Sequence, residues 1–178
     1  MKICISGFAS SGKTTLGEAL SKELNIRHIK NSYKSIVKND DRKIVGFLDD
    51  LTKKHDKQVA LDFDSNIVKM SNEGDCVIST WLGPWTIKDA TVRVWLNASQ
   101  STRAERRAKV NGMEHDEALK FIRDYDASTA KHFSDVYGID VTDHSIFDIE
   151  LNTERMSVDE MVSVVALLTA KRDVNRFR

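Results

Sequence analysis

The stretch GFASSGKT brings two glycines, a lysine and a threonine to the spacing G-x-x-x-x-G-K-[ST]. Glycine adopts backbone angles that are closed to other residues, so consecutive N–H groups of such a loop can turn toward phosphate oxygens. Lys13 would add a mobile positive charge for the β- and γ-phosphates, and the Thr14 hydroxyl would ligate Mg²⁺. The pattern therefore predicts a site for a nucleoside triphosphate with its magnesium ion.

We expect the triphosphate to be held by this loop and by the first turn of the helix after it. The residues assigned to ATP binding here are Gly7, Ala9, Ser10, Ser11, Gly12, Lys13, Thr14 and Thr15. The alternative is a plain glycine turn followed by a surface lysine. Because a strand-like stretch precedes the loop and a helical pattern follows it, the nucleotide site is the favoured interpretation.

A second group of charged residues lies in STRAERRAKV. Arg103 and Arg107 are four residues apart, so on a helix they share one face. Arginine presents a rigid fork of donors that suits phosphate oxygens. The two arginines are therefore candidates for contacts with ATP. The alternative is a solvated helix face with ion pairs to Glu105, Asp124 or Asp126.

Five short apolar runs with strand character alternate with helical patterns along the chain. They are KICIS, IRHI, DCVIST, TVRVWL and FDIELNT. Alternating strands and helices favour an α/β fold in which a parallel sheet carries helices on both faces. In such folds ligands bind beyond the carboxyl ends of the strands, and GFASSGKT begins at the end of the first one.

Two of the helical patterns are well defined. The first carries an apolar stripe of Leu16, Ala19, Leu20 and Leu24. The last begins with Ser157 and Glu160 at the spacing of a capping box, in which each side chain bonds the backbone N–H of the other residue. Its apolar stripe consists of Val158, Met161, Val165 and Leu168. Both stripes are expected to face the core.

The composition is that of a globular domain. Lys and Arg number 27 and so do Asp and Glu, so the formal net charge of zero gives no reason to expect the whole molecule to bind nucleic acid, and it leaves a local basic cleft open. No apolar run approaches the length of a membrane span, and MKICISG has no signal-peptide pattern. Cys4 and Cys76 lie in apolar runs, so we expect buried reduced thiols and a cytoplasmic location. The five histidines lack metal-ligand spacing, and we expect them at isolated surface positions.

Two longer stretches, ASQSTRAERRAKVNG and FIRDYDASTAKHFSDVYGIDVTDHSIFDIELNT, resemble the lid and adenine-site region of cytidylate kinases. The similarity is to the short archaeal-type enzymes of the P-loop nucleoside monophosphate kinase family, and it extends from the phosphate loop to LNT. It implies one P-loop kinase domain over residues 1–178, with a three-layer α/β core and a parallel five-stranded sheet. It also implies a helical acceptor-binding insert at 33–72 and a short helical lid at 111–137.

The resemblance assigns roles to further residues. Those implied in ATP binding beyond the loop are Arg103, Arg107, Asn152 and Thr153. Arg123 matches a lid arginine that clamps the transferring phosphoryl group, and Lys131 lies where many relatives carry a second lid arginine. The implied catalytic residues are therefore Lys13, Arg123 and Lys131, which would stabilise the charge of the transition state.

The acceptor side departs from the family pattern. Archaeal-type relatives usually read E-G-R-L-x-G-W after the third strand, whereas this chain reads STWLGPW. Ser79 thus replaces an acid, and Trp81 replaces an arginine. Ala60 and Leu61 likewise replace an Asp-Arg pair in the preceding helix. An arginine-to-tryptophan change removes a bidentate phosphate clamp and leaves a stacking surface.

The residues that we assign to acceptor binding are Lys34, Asp64, Trp81 and Trp85. Lys34 is the best replacement for the lost arginine, because SYKS lies where relatives place an aromatic–arginine pair. For the two tryptophans the alternative is packing in the core or at a hinge. Since Ser79 offers only a hydroxyl, Asp62 and Asp64 are the candidates for an acidic contact to Mg²⁺.

The resemblance implies an ATP-dependent phosphotransferase that moves the γ-phosphoryl group to a nucleoside monophosphate, with CMP and dCMP as the first candidates. Because the acceptor side is altered, two alternatives stay open. One is a kinase for a nucleoside or another small metabolite. The other is a nucleotide-binding regulatory protein with weak ATPase activity.

Overall fold

The central feature of the fold is a parallel sheet of five strands. The computed structural model describes residues 1–30, 41–53 and 57–175. The strands are Lys2–Gly7 (β1), Arg27–Ile29 (β2), Cys76–Ser79 (β3), Val92–Asn97 (β4) and Ile149–Asn152 (β5). Their order is β2-β3-β1-β4-β5, and every neighbouring pair is parallel. The predicted α/β fold with a parallel five-stranded sheet is confirmed, and β1 lies at its centre.

Helices connect the strands. Those of the described residues are Lys13–Leu24 (α1), Asp41–Lys53 (α2), Lys57–Ser71 (α3), Gly83–Thr86 (α4), Gln100–Asn111 (α5), His115–His132 (α6) and Val158–Asn175 (α7). A π-helical turn, Phe133–Tyr137, extends α6. The helices α2 and α3 fall within the predicted acceptor insert, and α6 with the π-helical turn falls within the predicted lid. The division into these two inserts stays a prediction.

The main core lies between the sheet and the pair α1 and α7. Both predicted apolar stripes face it: Leu16 and Leu20 of α1 are fully buried, as is Val165 of α7. The capping box is confirmed as well, because the backbone N–H of Ser157 donates to Glu160 Oε2 at 2.8 Å and the N–H of Glu160 donates back to Ser157 Oγ at 3.3 Å. Local sequence patterns thus determine this side of the domain.

A separate buried cluster, which includes Ala9 of the phosphate loop, joins α2 to α6. Ile44 and Leu48 of α2 share a buried cluster with Ile122 of α6. The Thr52 hydroxyl lies 3.0 Å from His132 Nδ1, and His132 is fully buried. The expectation of surface histidines is therefore wrong for His132, which links the predicted insert to the predicted lid.

Cys4 and Cys76 are free and buried, as predicted. Burial raises the pKa of the Cys4 thiol to about 12, so this thiol stays protonated at neutral pH. Among the helices that the structure describes, none has the length and apolarity needed to cross a membrane.

Candidate active site

The loop between β1 and α1 has a backbone that requires its glycines. Gly7 and Gly12 have φ of 144° and 102°, and Ser10 between them has φ of 61°. A Cβ at Gly7 would lie 2.5 Å from the carbonyl oxygen of Leu96, so only glycine fits there. The loop leads into the first turn of α1, whose unpaired backbone N–H groups and positive dipole end attract anions. The loop therefore has the form of a phosphate-binding site.

Lys13 lies across this loop. Its ammonium donates to the carbonyl oxygens of Gly7 at 2.7 Å and Phe8 at 3.0 Å. The same Nζ lies 4.8 Å from the ring centroid of Trp81, within the range of a cation–π contact. These contacts hold the positive charge of Lys13 at the place where the loop would hold phosphates.

A cavity of about 510 Å³ opens above the loop, at the carboxyl end of the sheet. This volume is typical of sites for small molecules and cofactors. Its walls are formed by Ala9, Ser10, Gly12, Lys13, Thr14, Thr15, Lys30, Ser79, Thr80, Trp81, Arg106, Arg107, Val110 and Tyr125. Four of these described wall residues are cationic and none is acidic. The cavity therefore favours a polyanionic ligand.

The cationic wall residues are spread along the edge of the sheet. Arg106 and Arg107 come from α5, which follows β4, whereas Lys13 follows the central strand β1. Lys30 follows β2, at the outer edge on the other side. Neighbouring strands lie about 4.8 Å apart, so the cavity crosses about three strand spacings. This span gives room for two phosphate-bearing groups side by side.

Arg106 is a wall residue for which the sequence pattern predicted no role. Its guanidinium donates to the Thr153 hydroxyl at 2.9 Å and to the Thr153 carbonyl oxygen at 2.7 Å, and it also reaches the carbonyl oxygen of Ser10. It thereby joins α5, the phosphate loop and the segment after β5. Thr153 was predicted to bind ATP, and Asn152 beside it is exposed with its side-chain oxygen bonded to the N–H of Glu154 at 2.9 Å. The only sequence signal for Arg106 was its place beside Arg107.

The two predicted arginines of α5 differ in their surroundings. Arg107 lines the cavity and stacks over Phe121 with 4.4 Å between its guanidinium carbon and the ring centroid. Arg103 is buried and forms a two-bond ion pair with Asp126 of α6, at 2.7 and 2.9 Å. It also donates to the carbonyl oxygen of Ala9 at 3.2 Å. Arg103 thus braces the phosphate loop from behind rather than lining the cavity.

The predicted catalytic residues of α6 lie away from the cavity. Arg123 and Lys131 are both exposed, and Lys131 pairs with Asp135 at 2.6 Å. The α6 residue that lines the cavity is Tyr125. Residues two apart on a helix are separated by about 200° around its axis, so Arg123 points away from the cavity that Tyr125 faces. In this arrangement the structure brings neither Arg123 nor Lys131 to Lys13.

The predicted acceptor residues are also divided. Trp81 lines the cavity, with its ring centroid 6.0 Å from that of Tyr125. Trp85 lies outside the cavity wall and packs edge-on against Phe133 and Phe147, with centroids 6.2 and 5.3 Å away. Lys34 lies outside the described residues. Leu61, one of the two residues that replace the family's Asp-Arg pair, is exposed on α3.

Protein ligands for a metal ion are few around the cavity. Three hydroxyl-bearing residues, Thr14, Ser79 and Thr80, are in its wall, and the described residues contain no group of three or more His, Cys, Asp or Glu that could hold a metal. Asp62 is bonded to Gln58 on the surface of α3, outside the cavity wall. Mg²⁺ usually keeps several waters and takes phosphate oxygens as ligands. The wall therefore fits a magnesium ion that arrives with a nucleotide and takes Thr14 as its direct protein ligand.

Asp64 is buried and lies outside the cavity wall. It accepts a hydrogen bond from the Tyr137 hydroxyl at 2.6 Å, which links α3 to the π-helical turn. Burial raises the pKa of Asp64 to about 6, although the hydrogen bond from Tyr137 acts in the opposite direction. At neutral pH the fold thus holds a carboxylate in surroundings that disfavour its charge.

Replacing Asp64 with asparagine is expected to stabilise the protein at pH 7.5. Because the folded-state pKa is above the ordinary value of 3.8, the folded protein binds more protons than the unfolded chain between pH 4 and 6. Its stability therefore falls as pH rises through this interval, by up to about 3 kcal/mol from Asp64. Asparagine keeps an acceptor for Tyr137 without the charge, so urea unfolding at pH 7.5 is expected to show a gain of about 1–2 kcal/mol.

The difference between Asp64→Asn and the original protein should shrink when the unfolding is repeated at pH 4.5, where the aspartate is protonated. Tyr137→Phe is the matched variant, because it removes the hydrogen bond that favours the carboxylate. It is expected to lose stability at pH 7.5. Equal stabilities of the original protein and Asp64→Asn at both pH values would contradict this account of Asp64.

Comparisons with known proteins indicate one family. Residues 2–155 match the model of the cytidylate kinase-like family. The cytidylate kinase of Pyrococcus horikoshii is 31% identical over 166 residues, which cover 92% of this chain and 85% of that protein. The cytidylate kinase of Sulfurisphaera tokodaii is 32% identical over 171 residues, 93% of each chain.

Solved structures show the same architecture. An uncharacterized protein from Eubacterium ventriosum aligns with a TM-score of 0.72 and 17% identity, over 96% of this chain and 98% of that one. Deoxyadenosine kinase from M. mycoides, solved with bound dATP, aligns with a TM-score of 0.57 and 15% identity, over 93% and 97%. At these identities the likeness concerns the fold alone.

Proposed function

The chain belongs to the cytidylate kinase-like family, and from this premise we propose that it transfers the γ-phosphoryl group of ATP to a nucleoside monophosphate. CMP and dCMP are the first candidates for the acceptor, since the relatives above are cytidylate kinases. The free, buried thiols of Cys4 and Cys76 support a cytoplasmic setting for this reaction.

The observation that carries the proposal is the cavity above the phosphate loop. It extends from Arg106 and Arg107 past Lys13 to Lys30, and its described wall has no acidic side chain. A site for ATP alone would need only the half of the cavity that lies around Lys13 and α5. The additional cationic end near β2 supports a second, anionic substrate, as transfer between two nucleotides requires.

Phosphoryl transfer needs little covalent participation by the protein, because it depends on positioning and on positive charge around the transferring group. In our proposal the loop N–H groups and Lys13 hold the β- and γ-phosphates. Arg107, which lines the cavity beside them, supplies further positive charge. The predicted roles of Arg123 and Lys131 would require a different arrangement of α6.

Mg²⁺ would be held by Thr14 and by the phosphates of ATP, and it would neutralise the charge that builds up on them. The chain's own contribution is to exclude water, which would otherwise accept the phosphoryl group. Trp81 and Tyr125 give the cavity an aromatic part of its wall. Closure of this wall over bound substrates would favour transfer over hydrolysis.

The test is a coupled assay of ADP release with CMP, dCMP, UMP and AMP as acceptors, with the diphosphate product measured by chromatography. We expect at least one pyrimidine monophosphate to raise ADP release well above the rate with ATP alone. The Lys13→Ala protein provides the blank. If none of the monophosphates is converted to its diphosphate, the proposed function is wrong.

A second candidate keeps the transfer but changes the acceptor to a nucleoside. Trp81 favours it, since a ring at the cavity wall stacks on a base without binding a phosphate. Adding cytidine and deoxycytidine to the same assay distinguishes the two candidates. Conversion of the nucleoside but not of its monophosphate would favour this second function.

A further inference from the structure

The end of the cavity near β2 combines one ammonium with two hydroxyls. Lys30 directly follows β2, and Ser79 is the last residue of β3. The two strands are parallel with Ile29 opposite Ile78, so the register continues with Lys30 beside Ser79. Both line the cavity, together with Thr80. These three residues define what we call the β2–β3 subsite.

The hydroxyls of this subsite are held in place by the protein. His28 Nε2 lies 2.7 Å from Ser79 Oγ. The imidazole has room there because α1 carries Gly17 at this point, where a Cβ would lie 2.4 Å from Nε2. The Thr80 oxygen accepts from the N–H of Gly83 at 3.0 Å, so its hydroxyl proton can be donated to a ligand. Both hydroxyls are thus positioned before any ligand arrives.

Lys30 is held by a contact that is easily exchanged. Its Nζ lies 2.9 Å from Glu18 Oε1, and both side chains are more than half exposed. Such solvent-exposed ion pairs contribute little free energy to stability, since water competes for both partners. A phosphate in the cavity, with more charge than a carboxylate, would draw Lys30 away from Glu18.

The position of the subsite suits the second substrate rather than ATP. Two strand spacings, roughly 10 Å, separate β2 from β1 and its phosphate loop. The α5 arginines lie on the opposite side of β1, next to the segment after β5. If ATP extends from these arginines to Lys13, the acceptor must occupy the side of β3 and β2.

We propose that Lys30, with the hydroxyls of Ser79 and Thr80, binds the phosphate of the acceptor, an inference that rests on the proposed function. The subsite replaces the clamp that the tryptophan at position 81 removes. It takes a phosphate monoester of two negative charges, and the contact with His28 holds the Ser79 hydroxyl in place. The base of the acceptor then lies toward the aromatic wall of Trp81 and Tyr125.

Replacing Lys30 with alanine is expected to raise the KM for the acceptor monophosphate by about 10- to 100-fold, since a charge-assisted hydrogen bond is lost. The KM for ATP should stay within about twofold of its original value, because the phosphate loop is untouched. Lys88→Ala, which removes an exposed lysine outside the cavity, is the matched control and should change neither constant. A rise in the KM for ATP with an unchanged acceptor KM would overturn the assignment.

Replacing Glu18 with glutamine tests the same assignment in the opposite direction. It removes the carboxylate that competes with the phosphate for Lys30, so we expect the acceptor KM to fall about threefold at low salt. A higher acceptor KM in Glu18→Gln would contradict the exchange of partners. The double variant Lys30→Ala/Glu18→Gln should behave like Lys30→Ala alone, because Glu18 can compete with the phosphate only where Lys30 is present.

Calorimetric binding of CMP in the presence of a non-hydrolysable ATP analogue separates this inference from the proposed function. If the original protein binds CMP and Lys30→Ala binds it much more weakly, the subsite is supported even without turnover. If turnover is found but Lys30→Ala binds CMP equally well, the subsite is wrong and the kinase activity stands. If the original protein neither binds nor converts any monophosphate, both fail.

Discussion

Replacing Lys13 with alanine is expected to lower kcat by about 10³-fold or more. In the folded protein its ammonium is held by two loop carbonyl oxygens and by the Trp81 ring, so its charge is already positioned before ATP binds. A positioned charge acts most strongly where negative charge develops during transfer. Because loop N–H groups also hold the phosphates, the KM for ATP should rise far less than kcat falls. Steady-state kinetics with the best acceptor measures both constants.

The control for this prediction is a measurement of the stability of the Lys13→Ala protein. The hydrogen bonds from Lys13 to Gly7 and Phe8 are local, to residues five and six positions earlier in the chain, so Lys13→Ala should unfold in urea close to the original midpoint. Lys13→Arg is expected to rescue little activity, because a planar guanidinium does not reproduce a compact ammonium between two carbonyls and a ring. Activity of Lys13→Ala above about a tenth of the original would contradict the role of this lysine.

The parts of the fold that sequence predicted well depend on local patterns. The glycines of the phosphate loop, the stripe of α1 and the capping box of α7 are each specified within about a dozen residues. The five strands follow from short apolar runs between turns. The sequence also allowed Trp81 to be proposed as a residue of the site, because the residues around it align with a motif of the family.

The residues that were missed depend on how elements dock. Helical spacing relates Arg103 to Arg107, but it does not say which face of α5 meets α6. The packing of α5 against α6 buries Arg103 against Asp126. Arg106, on another face of α5, donates to the carbonyl oxygen of Thr153. The same reasoning applies to Arg123. Its position in the sequence does not specify the rotation of α6 about its axis, and that rotation decides whether Arg123 faces the cavity.

Lys30 was missed for a different reason. It follows the weak strand IRHI and belongs to no motif, and only the strand order places it beside Ser79. Likewise, the contact of Thr52 with His132 joins residues that are 80 positions apart, which no local pattern indicates. Long-range pairing therefore assembles the proposed β2–β3 subsite, whereas a local pattern specifies the phosphate loop.

The largest expected effect on stability comes from Asp126. Its carboxylate receives two hydrogen bonds from Arg103 and one from Gln100 at 3.2 Å, and the side chains of the ion pair are about nine-tenths buried. Replacing it with alanine leaves the Arg103 charge buried without its carboxylate, which typically costs about 3–5 kcal/mol. For a chain of this size the melting temperature should fall by roughly 10 °C. Urea unfolding and calorimetry measure the two quantities.

A neighbouring residue on the same helix gives the matched control. Asp124 forms an exposed pair with Lys120 at 2.6 Å, so Asp124→Ala should change stability by less than about 1 kcal/mol. The double variant Arg103→Met/Asp126→Leu should recover part of the loss, because an apolar pair needs no compensating charge. Recovery should remain incomplete, since Arg103 also donates to the carbonyl of Ala9 in the phosphate loop. Equal costs for Asp126→Ala and Asp124→Ala would mean that the ion pair does not hold α6 against the loop.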